Sequence, residues 1–246
     1  MNLVSTTRAL LIVVAISVAA PSNLYSMTLV ADDFESYDVG AWPSPNWVAH
    51  AHAADVPAEN HVALDPDTVS QNDKALRLQG IVNWAAIAYH TFDIQSNFII
   101  EAQVWNGNED QPAGWGRGSI GIAKGIDWTG PGRTLFQFWP DGTWQSEGGL
   151  SGSFETERWY GVRIHYNRQG SDLALRYWLD GIFAGDANVV VADVPTEAMF
   201  GYLNLTAGGT SYFDDIRVQA VPEPATATIM LIGTFALFCA TCCRCA

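Results

Sequence analysis

Residues 27–224 of this 246-residue chain contain no cysteine. All four, Cys239, Cys242, Cys243 and Cys245, fall in the last eight residues, where Cys-Cys and Cys-x-Cys spacings make no zinc site. No disulfide can staple the body, so its stability must come from a packed core, with or without metal. Basic residues are scarce too: 12 Lys and Arg stand against 26 Asp and Glu, a net charge of −14. Arg8 and Arg244 lie in end segments that hold no acid. The body therefore keeps ten bases against 26 acids, a net charge of −16. Such a surface repels nucleic acid and anionic headgroups, so no nucleic acid is expected as a partner. Helical periodicity of useful length is missing, and no internal repeat points to a propeller. There is no G-x-S-x-G elbow, and without a body cysteine the usual nucleophile patterns are gone.

The two ends are where long apolar runs do occur. Arg8 precedes an uncharged stretch from Ala9 to Ala20. As a helix it would reach only about 18 Å, short of the roughly 30 Å bilayer core. Residues 1–26 therefore read as a secretory signal peptide, with cleavage near Ser22 or Ser26. At the other end, Ala225 to Cys243 carries no charge. It would span about 28 Å as a transmembrane helix, residues 225–243, with Arg244 on the cytoplasmic side. Pro222 and Pro224 flank Glu223 and hold that triplet extended. The tail cysteines are either lipidation points or small apolar residues.

Between the ends, residues 27–220 read as one all-β domain. In RWYGVRIHYN, Tyr160, Val162, Ile164 and Tyr166 alternate with Trp159, Gly161, Arg163 and His165. After a Gly-containing turn, Leu173, Leu175, Tyr177 and Leu179 alternate with Ala174, Arg176 and Trp178. Asp180-Gly181 then reverses the chain into Ile182-Phe183-Ala184. Phe98, Ile100, Ala102 and Val104 alternate with Ile99, Glu101, Gln103 and Trp105. Pro140-Asp141-Gly142 marks a hairpin between Leu135–Trp139 and Thr143–Ser146. Further runs span 29–34, 75–79, 85–92, 119–123, 189–192, 200–206 and 210–219. About a dozen short strands in one domain mean two stacked antiparallel sheets.

Four pieces of the body carry a resemblance by their order: DDFESYDVGAWPSPNW, RWYGVRIHYN, LALRYWLDGIFAG and SYFDDIRVQAV. Together they resemble the concanavalin A-like and laminin G-like jelly rolls, two-sheet antiparallel sandwiches whose first and last strands pair. The resemblance covers Asp32 to Val218. It implies a structural Ca²⁺ held by Glu35 and Asp214, with Asp33 as a third ligand, a hard-oxygen set that suits calcium. The last strand is read with Tyr212, Asp214, Ile216 and Val218 on one face, which would set Asp214 in line with core residues; capping backbone amides or accepting from Tyr37 are the other fates for its carboxylate. Related glucanases place two acids on one face of a single Glu-x-Asp-x-Glu strand. This chain has no such strand: Glu155 and Glu157 precede one, and Glu109-Asp110 sits in a loop. No catalytic residue is assigned. The order Pro222-Glu223-Pro224, apolar helix, terminal base resembles the PEP-CTERM sorting signal, residues 221–246, which implies an exosortase as processing partner.

Ten tryptophans remain, all in the body. Sugars present C–H faces that stack on aromatic rings while Arg, His and carboxylates meet their hydroxyls. Trp105, Trp159, Arg163, His165, Arg176 and Trp178 form a candidate glycan platform if their strands adjoin. His50-Ala51-His52 and the stretch Asp65, Asp67, Asn72, Asp73 read as solvated loops, the latter with Asx turns. Asn204-Leu205-Thr206 fits a sequon or a plain strand. The expected protein is an exported, non-catalytic cell-surface or matrix component, structural or weakly glycan-binding in extracellular polysaccharide, with its membrane helix transient or permanent. A divergent polysaccharide hydrolase or lyase, and a protein-binding surface scaffold, are the alternatives.

Overall fold

Alternation builds the centre of the fold. On β11 (Trp159–Gln169), Tyr160, Val162, Ile164 and Tyr166 are buried and the residues between them face outward. β12 (Asp172–Leu179) buries Leu173, Leu175 and Tyr177, and β6 (Asn97–Asn106) buries Phe98, Ile100, Ala102 and Val104. The computed structural model describes residues 26–67, 73–81, 85–93, 95–108, 116–123, 132–190 and 200–222. Among them the remaining elements are β1 (Met27–Asp32), β2 (Trp47–Ala51), α1 (His52–Asp55), β3 (His61–Leu64), β4 (Lys74–Gln79), β5 (Ala86–Asp93) and β7 (Gly118–Ala123). After these come β8 (Gly132–Phe138), β9 (Thr143–Ser146), β10 (Ser151–Ser153), β13 (Ile182–Val190), β14 (Phe200–Ala207) and β15 (Thr210–Ala220).

These strands form two sheets. Sheet I runs β13-β12-β11-β6-β15-β4-β3, with β1 also paired to β15; sheet II runs β10-β9-β8-β7-β14-β5-β2. All described pairings are antiparallel. The inner faces meet in one continuous core: Phe92 of sheet II meets Phe98 of sheet I edge-on at 5.6 Å, and Phe138 of sheet II lies against Tyr160 of sheet I at 5.6 Å. Burying each such side chain is worth about 1.5–3 kcal/mol, which a disulfide-free domain depends on. The expected two-sheet sandwich is present. β1 pairs with β15 from Met27↔Ala220 to Asp32↔Ile216, so both ends of the domain lie side by side.

Four expectations change. The strands number fifteen among the described residues, because β2, β3 and β10 are only five, four and three residues long and leave little periodicity to see. His50 lies on β2 and His52 opens α1 rather than both sitting in a loop; Trp47, 2% exposed, and the pairing to β5 hold that segment in the sheet. The runs 182–184 and 189–192 are one strand through Val190, continued past Gly185 (φ 146°) by a bulge opposite Tyr177–Trp178.

The largest change is on β15. A bulge between Asp214 and Arg217, with Asp215 at φ 48°, adds one residue and inverts the alternation. Phe213, Ile216 and Val218 point inward at 0% exposure, while Tyr212 and Asp214 turn to the outer face. Asp214 is therefore not in line with Ile216 and Val218.

The turn residues behave as read. Asp180 and Gly181 both have positive φ, 51° and 73°, between β12 and β13. Trp139 N–H donates to the Thr143 carbonyl at 2.7 Å across Pro140-Asp141-Gly142. Asp67 N–H donates to the Asp65 carboxylate at 2.7 Å, an Asx turn. Gly80 closes β4 against the β14–β15 corner: a Cβ there would stand 2.3 Å from the Ala207 carbonyl oxygen and 2.9 Å from the Gly208 backbone. Gly80→Ala is expected to cost about 1–3 kcal/mol, seen as a lower urea midpoint; an unchanged midpoint would contradict this close approach.

Among the described residues no helix is long and apolar enough to cross a membrane. Residues 1–25 and 223–246, which carry most of the signal-peptide reading and the helix 225–243 with Glu223 and Pro224, lie outside the described residues.

Candidate functional site

The outer face of sheet I brings the six platform residues together. β12, β11 and β6 are neighbours, so Trp105 stands opposite Trp159, and Arg163 stands between Glu101 and Trp178. His165 stands opposite Arg176. Three strands at about 4.8 Å spacing, over the six-residue span from Trp159 to His165, give a face roughly 10 by 20 Å.

That face divides into two halves. In one, Trp105 meets Tyr212 edge-on at 5.3 Å, and Trp159 Nε1–H donates to Asp65 Oδ1 at 3.1 Å. Asp65 follows β3 at the far edge of the sheet. Both tryptophans are half-buried, and this one bond ties the β11 end of the face to the turn between β3 and β4. The other half is open. Trp178 packs against Phe183 at 5.5 Å, and the Arg163 guanidinium lies 5.4 Å from the Trp178 ring centre. Arg163 Nη1 pairs with Glu101 Oε1 at 2.9 Å, and Arg176 Nε pairs with Asp186 Oδ1 at 3.0 Å. Burial lowers the His165 pKa, and the nearby Arg176 and Arg163 lower it further, so the ring is neutral at pH 7. Its Nε2 lies 2.7 Å from Asn97 Oδ1, which places the proton on that nitrogen.

Sequence reasoning missed Phe183, Asp186, Tyr212 and Asp65. Phe183 had a usable signal: the tight Asp180-Gly181 turn fixes the hairpin register and sets Phe183 against Trp178. Asp65 had none, since it acts on a residue 94 positions away.

The acidic corner is built from β1, the turn after it and β15. Asp32, not Asp214, accepts from Tyr37: its carboxylate takes the Tyr37 hydroxyl at 3.0 Å, Trp47 Nε1–H at 2.8 Å and Phe34 N–H at 2.9 Å. Asp33 Oδ1 accepts from Glu35 N–H at 3.2 Å, and Glu35 Oε1 from Lys74 N–H at 2.7 Å. Lys74 Nζ donates to the carbonyls of Glu35 and Tyr37 at 2.8 and 2.7 Å. Asp214 Oδ1 accepts from Asp215 N–H at 2.7 Å. Burial is the main force that pushes the Asp214 pKa up to about 7; the Asp215 amide opposes it, and the charges of Asp215, Glu35 and Asp33 add to it. The three expected calcium ligands thus feel one another. Each has one oxygen committed to a backbone amide, and the donors are of the hard-oxygen class calcium takes. Among the described residues, no three acidic, His or Cys side chains already converge as a metal cage. Beside them a cavity of about 200 Å³ is lined by Asp32, Asp33, Tyr37, Asn46, Asp215 and Arg217.

The outward positions of β5, β7 and β14 hold Ile87, Tyr89, Thr91, Ser119, Tyr202, Asn204 and Thr206, with one acid, Asp93, at the end of β5. Tyr89 is 3% exposed there, against His50 and Tyr202. Among the described residues these strands set no two carboxylates across from each other. Asn204-Leu205-Thr206 is a plain stretch of β14. Glu109 and Asp110 lie outside the described residues.

Neither a protein-family model nor a curated protein matches this chain. Solved structures do. An endo-1,3-beta-glucanase from Streptomyces sioyaensis aligns with 83% of this chain and 99% of its own at 14% identity, with a TM-score of 0.53. The fold is a concanavalin A-like jelly roll. Peanut lectin aligns with 79% of this chain and 98% of its own at 12% identity and a TM-score of 0.49. The Emp47p carbohydrate recognition domain aligns with 80% and 95% at 13% identity and a TM-score of 0.45. At such identities the likeness is one of fold. What this jelly roll does has to be argued from its own side chains.

Proposed function

We propose that the protein is an exported, non-catalytic component of the cell surface or extracellular matrix that binds polysaccharide weakly on the outer face of sheet I. The observation that carries this reading is the open half of that face, where Trp178 and Phe183 lie beside Arg163, His165 and Arg176 on adjoining strands. Aromatic rings edged by fixed donors and acceptors are what a pyranose needs, and these two rings, inclined by 58°, each offer a face to one sugar. Two features speak against catalysis by paired carboxylates: no Glu-x-Asp-x-Glu strand in the sequence, and no opposed acids on the described strands of sheet II. Trp105 and Trp159 serve as the partly covered support of the face rather than its contact surface.

The rest of the reading concerns delivery and metal. A signal peptide exports the chain, and residues 221–246 anchor it in the inner membrane until an exosortase acts at Pro222-Glu223-Pro224. Ca²⁺ would be held by Glu35, Asp33 and Asp214, whose charges reach one another and whose carboxylates would have to draw together to enclose it. Intact-mass analysis of protein from its host reads the processing directly; a mature mass that still includes Ala246 means a permanent anchor.

The direct test uses the full-length protein in a non-glycosidic detergent on a glycan array, with and without Ca²⁺. Retention of one polysaccharide class is expected. Trp178→Ala should weaken it by about tenfold, the value of a stacked ring at roughly 1–1.5 kcal/mol. No retention by any glycan would leave a structural role, and release of reducing sugar would favour the hydrolase.

A further inference from the structure

The ion pairs on the same face narrow the kind of polysaccharide it can take, an inference that rests on the glycan-binding reading. On the outward face of β6, β11 and β12 the cations are Arg163 and Arg176. Each has its own carboxylate: Glu101 for Arg163 at 2.9 Å, and Asp186 for Arg176 at 3.0 Å. Both pairs are solvated, with side-chain exposures of 47% and 35% in the first and 60% and 52% in the second. Exposed pairs of this kind add little to stability, so their effect on the face is mainly to cancel charge. His165 between them is neutral. Arg217, opposite Glu101 on β15, lines the acidic cavity with Asp32, Asp33 and Asp215.

The cancelled charges still leave polar chemistry. A guanidinium has five N–H donors and a carboxylate about four acceptor sites. Each pair is joined through one nitrogen and one oxygen, so both pairs keep donors and acceptors at fixed places beside Trp178 and Phe183. A polyanion meets two unfavourable terms here: the field of a body at −16, and outward arginines on β6, β11 and β12 that, among the described residues, are both paired. A polycation is drawn by that field but finds both carboxylates taken.

We propose that this face selects an uncharged pyranose chain, stacked on Trp178 and Phe183 and hydrogen-bonded along the Arg163–Glu101 and Arg176–Asp186 edges, over uronate, sulfated or amino-sugar polymers. The selectivity is set by the two carboxylates, which disarm the arginines.

The test is affinity electrophoresis and calorimetry of the full-length protein in non-glycosidic detergent. The probes are dextran and laminarin as uncharged polymers, alginate as a polyuronate and chitosan oligomers as polycations. Binding to an uncharged polymer is expected, with Kd changing less than about twofold between roughly 20 and 500 mM NaCl, because no counterions are released. Glu101→Gln frees Arg163 and is expected to raise alginate binding by about fivefold or more at low salt. Tighter binding of alginate or chitosan by the wild type, or a Kd that rises about tenfold with salt, overturns the proposal while leaving glycan binding intact. Binding of none of the four removes the glycan reading and this proposal with it. The salt series needs only the wild type, so it stands even if the variant folds poorly.

Discussion

Trp47→Ala is expected to be the most damaging single change, lowering stability by about 3–5 kcal/mol. Trp47 is 2% exposed, packs on Phe34 at 5.8 Å and on His90 at 5.1 Å, and donates its indole N–H to Asp32. Its loss opens a large cavity and takes one of three donors from the half-buried Asp32 carboxylate. For a domain of this size the melting temperature should fall by about 10 °C or more. Trp47→Phe separates the two parts. It keeps a ring in the cavity but leaves Asp32 one donor short, which should cost about 1–3 kcal/mol. A Phe variant as stable as the wild type would mean that the Trp47–Asp32 bond carries nothing.

Asp214→Asn should change how stability depends on pH. The folded pKa is raised, from an ordinary 3.8 to about 7, so the native state holds the proton more tightly than the unfolded chain does. Stability is then highest below about pH 4, falls as pH rises from 4 to 7, and carries the full penalty above 7. Each pH unit between the two pKa values corresponds to about 1.4 kcal/mol, a ceiling near 4 kcal/mol. Solvent reaches part of this group, which reduces the penalty to about 1–2 kcal/mol. Asn cannot ionise, so the variant should gain that amount at pH 8 and nothing at pH 4. Urea midpoints across pH 4–8 read it, and parallel profiles for the two proteins would sink the idea. Ca²⁺ bound between Asp214, Glu35 and Asp33 would restore stability at pH 8 to the wild type and not to the variant.

These two residues mark how far the sequence can be read. The β11–β12 pair was legible because each alternates cleanly and is bounded by turn residues, and the outward set from Trp159 to Trp178 followed from period two alone. The gathering of that set on adjoining strands needed only the right strand order. Asp214 was not legible, because its face depends on a bulge, and a bulge is visible only once β6 fixes the register on both sides of it. The one written trace is the spacing of Phe213, Ile216 and Val218, three residues and then two. Asp32 was hidden for another reason. Asp32, Asp33, Glu35 and Asp38 look alike in the sequence. Only folding brings donors from Phe34, Tyr37 and Trp47 to the first of them. Phe183 lay between: its turn was clear, but the bulge at Gly185 concealed that β13 runs on to Val190.

The pairing of Met27 with Ala220 also fixes how the domain would carry a mechanical load. Under the proposed anchoring, a tether beyond Ala220 would pull on β15 lengthwise, where β6 holds one side and β1 and β4 hold the other. A ligand held on β11 and β12 pulls on the same sheet, two and three strands away. Tension between matrix and anchor would then run sideways through the hydrogen-bond ladders from β12 to β15, many bonds sharing it in shear. It would not have to cross the aromatic core or pull the two sheets apart.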